Sequence, residues 1–91
     1  MSRWFVYILR CKNGSLYTGI TNNLEARVTK HNAGRGAKYT RAFGPTKLVY
    51  SQAMKSPTAA RKREAEIKSW SKAAKEKIIQ LYFGYSPPRS S

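Results

Sequence analysis

Five side chains in this sequence combine types and spacings suited to work on a phosphate ester: Tyr7, Tyr17, Arg27, His31 and Glu64. Phenol, phenol, guanidinium, imidazole and one carboxylate are the parts of a phosphodiester-cutting site, and the chain that carries them has a formal charge of +14. A guanidinium can grip two phosphate oxygens at once and neutralise charge that grows in a transition state. Taking a proton from water is harder for a phenol. With an unperturbed pKa near 10, only about 0.1% of it is ionised at pH 7, and lowering that pKa to about 7 takes roughly 4 kcal/mol. An imidazole, near 6.5, needs no such shift. The general base is therefore open among Tyr7, Tyr17 and His31.

Whether the two phenols meet depends on the turn between their strands. Tyr7 lies in the β-type run Trp4–Arg10 and Tyr17 in Leu16–Thr21, joined through Asn13-Gly14, a strong hairpin signal. Side chains alternate faces along a strand. A two-residue turn would pair Tyr7 with Ile20 and send the phenols to opposite faces. A three-residue turn, with Gly14 left-handed, pairs Cys11 with Ser15, sets Tyr7 opposite Gly19 and Tyr17 opposite Leu9, and puts both phenols on one face. We expect the three-residue turn, with the phenols as diagonal neighbours roughly 7–8 Å apart at the backbone and open space opposite Tyr7 at Gly19.

Asn22 and Glu25 predict a capping box for a helix running to about Asn32, on which Leu24, Val28, Arg27 and His31 share the sheet-facing side. The segment from Gly34 to Pro45 is basic and broken by glycine. Arg35, Lys38 and Arg41 can meet phosphates there, and Tyr39 or Phe43 can stack on a base. Lys47–Met54 reads as a third strand. Ser56-Pro57 then opens a helix, as N-cap and first helical residue, on which Ala60, Glu64, Ile67 and Ser71 form one stripe while Glu66 points about 100° away from Ile67. A last helix from Ser71 to Leu81 or Tyr82 is expected to bury Ala74, Ile78 and Leu81. The order β-β-α-β-α-α predicts an α+β domain over 1–82, a three-stranded antiparallel sheet flanked by helices. A disordered tail is expected over 83–91.

The composition narrows the chemistry. The 91 residues make one domain, and 18 Lys plus Arg against four glutamates and no aspartate favour a polyanionic partner, DNA or RNA, over a membrane. No apolar run of transmembrane length and no signal peptide are visible, so a cytoplasmic location is expected. A lone Cys11 excludes an internal disulfide, and one Cys with one His cannot build a structural zinc site. A multi-carboxylate two-metal site is out of reach. A single Mg²⁺ (or another divalent cation such as Mn²⁺) held by one Glu, waters and substrate phosphate is not.

In these residues the chain resembles the GIY-YIG endonuclease superfamily, specifically its small single-domain YhbQ-like branch. The first element is Val6-Tyr7-Ile8, the second Tyr17-Thr18-Gly19, then Arg27 with His31, and finally the helix Glu64-Ala-Glu-Ile-Lys68-Ser-Trp70. The match spans Trp4 to Gln80. The first tripeptide lacks its glycine, and an asparagine often found in the superfamily's last helix has no clear equivalent; Lys75 and Glu76 stand nearby. The resemblance implies metal-dependent hydrolysis of nucleic-acid phosphodiesters, with Glu64 as metal ligand, Arg27 as phosphate clamp, and Tyr7, Tyr17 or His31 as base. Singly, each residue has a plainer explanation, such as sheet packing for a tyrosine or a surface pair with Arg63 or Lys68 for Glu64. Their ordered convergence favours the site. The alternative is a non-catalytic basic nucleic-acid-binding module on the same scaffold.

Overall fold

A computed structural model describes residues 3–32 and 46–82. The run Trp-Phe-Val-Tyr-Ile-Leu-Arg-Cys forms β1 (Trp4–Cys11), and its near-continuous apolar character suits its place at the centre of the sheet. Val6, Tyr7, Ile8, Leu9 and Cys11 are all buried. β2 (Leu16–Thr21) and β3 (Thr46–Met54) flank it antiparallel, in the order β2-β1-β3.

The hairpin closes through the three-residue turn. Cys11 N donates to Ser15 O at 2.8 Å and Gly14 N to Cys11 O at 2.8 Å. Gly14 takes φ +89°, a left-handed value that a side chain would strain. Asn13 Oδ1 accepts from Ser15 N at 3.1 Å and from Ser15 Oγ at 2.6 Å, which stiffens the turn from within. Pairing with β3 slips between Ile8 and Leu9, where Val49 forms a bulge.

Helix α1 (Leu24–Asn32) begins one residue later than the expected capping box allows. Asn23 Oδ1 accepts from Ala26 N at 3.1 Å, so Asn23 is the N-cap. Asn22 is displaced from that role because Thr21 Oγ1 accepts the Asn23 N–H at 3.0 Å and tightens the exit from β2. Glu25 falls in the first turn, one position short of a capping box.

Ser56 caps α2 (Pro57–Lys68) as expected, accepting from Ala59 N at 3.1 Å, with Pro57 at the first helical position. Ser71 caps α3 (Lys72–Tyr82) through a 3.1 Å bond from Ala74 N. The two caps are local devices, each worth about 1 kcal/mol.

One face of the sheet holds the core: Val6, Ile8 and Val49 meet Ala60 and Ile67 of α2 and Ile79 of α3. α2 rests on β1 and β2, α3 on β3, and α1 reaches β3. The expected burial of α3 is corrected. Leu81 is 72% exposed, Ala74 and Ile78 are half-buried, and Ile79 is the buried residue. The helix is turned so that Ile79 and Tyr82 meet the sheet, because the Tyr82 ring lies against Tyr50 of β3 at 5.3 Å. The described α+β architecture and its element order agree with those read from the sequence. The tail over 83–91 lies outside the described residues.

Candidate active site

Strand register puts the two phenols together. Tyr7 pairs with Gly19, and Tyr17 with Leu9, which shares a face with Tyr7. Tyr7 is 1% exposed and its ring lies across Gly19. A Cβ built on Gly19 would stand 2.5 Å from the Tyr7 hydroxyl and 2.7 Å from Cζ, distances no side chain tolerates. The glycine of the second tripeptide is thus the seat of the first tripeptide's phenol. Tyr17 is half-buried.

Electrostatics links these strands to the two helices. Burial pushes the Tyr7 phenol up to about 12, and Tyr17 and the Glu64 carboxylate add to the rise while the Arg27 guanidinium opposes it. Three of the five residues singled out in the sequence, from β2, α1 and α2, thus act on a fourth, Tyr7 of β1. At a pKa of about 12, roughly one Tyr7 phenol in 10⁵ is ionised at pH 7.

Arg27 is half-buried on α1, one turn before His31, whose backbone lies in the last turn of α1 and whose side chain is outside the described part of the structure. Arg35, Lys38, Tyr39 and Arg41 lie outside the described residues altogether.

Glu64 sits between Ala60 and Ile67 on α2, with its side chain 22% exposed. Its ion pair is with Lys68, Nζ to Oε2 at 3.0 Å, one turn along the same helix. Lys68 is 54% exposed and can swing into water at little cost. Glu66, one residue on, is occupied differently: Arg63 holds it at 2.7 Å on the outer face.

Two features were not read from the sequence. Arg10 grips Glu76 with both terminal nitrogens, each at 2.7 Å, and its double hydrogen bond holds the Glu76 carboxyl below its ordinary range. Lys72 adds a bond of 3.0 Å to the carbonyl of Gly14, so α3 fastens the hairpin tip. No local signal announces either contact. Glu76, which stands near the missing asparagine of the last helix, is thereby committed to Arg10.

The donor set suits one hard cation. Among the described residues Glu64 is a half-buried carboxylate ion-paired with one displaceable lysine, and a lone carboxylate with waters and phosphate oxygens is a familiar way to hold Mg²⁺. Among the described residues no group of three or more His, Cys, Asp or Glu gathers into a metal cage.

Comparison with known proteins matches residues 3–78 to the family described as the GIY-YIG catalytic domain. A UPF0213 protein of Staphylococcus haemolyticus is 50% identical over 80 residues, covering 88% of this chain and 98% of that protein. One from Natronomonas pharaonis is 51% identical over 75 residues, covering 82% of this chain and 88% of its own length. The solution structure of a UPF0213 protein from Bacillus halodurans aligns with a TM-score of 0.59 at 44% identity, over 91% of this chain and 88% of that one. A protein from E. faecalis, also solved by NMR, aligns at 0.62 and 30% identity over 100% of this chain and 97% of its own.

Proposed function

The chain belongs to the GIY-YIG family, and on that premise we propose that it is a nuclease hydrolysing phosphodiester bonds of nucleic acid, DNA first, with a divalent cation held by Glu64. The observation that carries this reading is the set of groups acting on the Tyr7 phenol: Tyr17, Arg27 and Glu64, delivered by three other elements.

Arg27 binds and orients the scissile phosphate, matching its planar fork to two oxygens and neutralising charge that builds on them. When bound, Mg²⁺ supplies Lewis-acid polarisation of the phosphate and stabilisation of the leaving oxygen. Glu64, paired with the exposed Lys68, would supply the anionic ligand. Without the cation, lowering the Tyr7 pKa from about 12 to 7 would take about 7 kcal/mol, and a cation on Glu64 offsets part of that. The proton from water falls to Tyr7, to Tyr17, half-buried on the same face, or to His31, one helical turn beyond Arg27. With a formal charge of +14, phosphate contact dominates binding, and the basic segment carrying Arg35, Lys38, Tyr39 and Arg41 extends that contact.

The non-catalytic binding module shares the charge but needs neither Glu64 nor a metal. One assay separates the two: nicking of plasmid, branched DNA and RNA with Mg²⁺ or chelator, by the natural chain and by Glu64→Gln and Glu66→Gln. Cleavage that needs the metal, disappears in Glu64→Gln and survives in Glu66→Gln is expected. Cleavage by no protein under any condition would leave the binding module standing.

A further inference from the structure

Leu81 and Tyr82, the large apolar side chains left exposed among the described residues, adjoin each other at the end of α3, at 72% and 46% exposure. Tyr82 is held rather than frayed. Its hydroxyl shares a 3.2 Å hydrogen bond with Ser51 Oγ, and its ring meets Tyr50 at 5.3 Å with a 58° tilt. The Tyr50 hydroxyl donates to Gln52 Oε1 at 3.0 Å, and Arg63 Nε donates to the same oxygen at 3.1 Å. A continuous brace thus runs from α2 to the Tyr82 ring.

The direction of that brace matters. Ser51 is the cross-strand partner of Tyr7 on β3, as Gly19 is on β2. One transverse row therefore runs Gly19, Tyr7, Ser51, and the Tyr82 hydroxyl joins it over the β3 edge. Strands lie about 4.8 Å apart, so the Tyr82 hydroxyl stands on the order of 10 Å from the Tyr7 backbone, with its ring around the β3 edge on the Tyr50 side, within reach of a neighbouring nucleotide.

We propose that Tyr82, flanked by Leu81, is a stacking platform for an unpaired nucleobase next to the phenol-bearing face, so that the chain engages a single-stranded segment there. The proposal rests on the nucleic-acid reading above and narrows its substrate. The charge of +14 favours a polyanion and repels a second copy of the chain. A nucleic-acid strand brings flat π-faces along with its phosphates, and a braced, half-exposed ring can stack on any base at little ordering cost. In a duplex those faces are hidden within the stack. The platform is therefore selective for unpaired strand.

Binding is the proper readout, because it does not depend on cleavage. The full chain, without divalent cation, is titrated with an oligothymidylate and with a duplex of equal phosphate count, over a salt series. Stacking of one base on one aromatic side chain predicts a five- to hundredfold loss of single-strand affinity in Tyr82→Ala. Duplex affinity should change much less, and the slope against log salt should stay unchanged, because no cation is removed. Tyr82→Phe keeps the ring and should retain most of the affinity. Unchanged single-strand binding by a folded Tyr82→Ala overturns the platform, and so does equal loss on both ligands or equal loss in Tyr82→Phe, which would make the Ser51 bond the feature that counts. Should Tyr82→Ala fail to fold, photocrosslinking of a 5-iodouracil oligonucleotide to the natural chain decides, with Tyr82 among the labelled residues if the proposal holds and absent if it does not. A chain that binds neither ligand refutes the broader nucleic-acid reading instead.

Discussion

Two carboxylates on consecutive helices face opposite fates. Glu76 on α3 receives two charge-assisted hydrogen bonds of 2.7 Å from Arg10, with Lys72 also 3.9 Å away. Glu64 on α2 meets one exposed lysine of its own helix. Arg10 approaches from β1 and has its fork filled by Glu76, so the pair ties the last helix to the hairpin. Lys68 makes no comparable commitment. A carboxylate whose lone pairs are saturated by a fixed guanidinium is structural, whereas one covered by a mobile ammonium is available to a cation. The difference lies in the partners, since both glutamates are partly exposed and both have a lysine one turn away.

The strongest attack on this contrast exchanges the two losses. Glu64→Gln removes the anionic ligand at nearly constant volume and is expected to cut metal-dependent cleavage by at least about a hundredfold. Its circular dichroism and melting curve should match the natural chain. Glu76→Gln should do the reverse, keeping cleavage within about threefold while loosening the hairpin tip. If the two variants lose cleavage equally, the contrast between the carboxylates fails.

The charge of Glu64 can also be read through Tyr7. Because the folded phenol titrates near 12 against about 10 when unfolded, the fold favours its neutral form. That stability is fully present below pH 10 and is lost as pH rises from about 10 to 12, by roughly 3 kcal/mol. Denaturant melts across that window should show the decline, and Tyr7→Phe should remove it. Absorbance at 295 nm should reveal a late phenol that is lost in Tyr7→Phe, slightly earlier in Glu64→Gln because an anion has been removed from its surroundings.

Gly19→Ala tests the seat of that phenol. The added methyl meets the buried ring at 2.5 to 3.2 Å, and overpacking of this kind costs about 1–3 kcal/mol. A fall in melting temperature of several degrees per kcal/mol is expected for a domain of this size, with weakened cleavage as the phenol shifts. An unchanged melting temperature would show that the ring moves freely.

The smallest effect belongs to Glu76 itself. Its lowered pKa contributes stability above the ordinary carboxylate range, and that contribution is lost as pH falls through the folded value. With both partners about one-third exposed, screening limits the pair to about 0–1 kcal/mol. Glu76→Gln should therefore flatten acid denaturation only slightly, measured by denaturant midpoints between about pH 3 and 6.

Much of the frame follows from the amino-acid order alone. Residue parity with a three-residue turn puts Tyr7 and Tyr17 on one face, Gly14 takes the left-handed turn position, and Ser56-Pro57 starts α2. These outcomes are legible because alternation, turn conformation and capping are settled by bonds within a few residues. The separation of Glu64 from Glu66 is legible for the same reason, from helical spacing. The cap at Asn23 rather than Asn22 was missed because the Thr21 hydroxyl competes for the same backbone. The exposure of Leu81 was missed because the turn of α3 is set by Tyr50 across the sheet. Only the tertiary structure decides that burial raises the Tyr7 phenol, that Arg10 reaches Glu76 across 66 residues, and that Tyr82 arrives beside Ser51. Desolvation and charge pairing depend on which distant surfaces close over a group, and no local pattern in the chain encodes that distance.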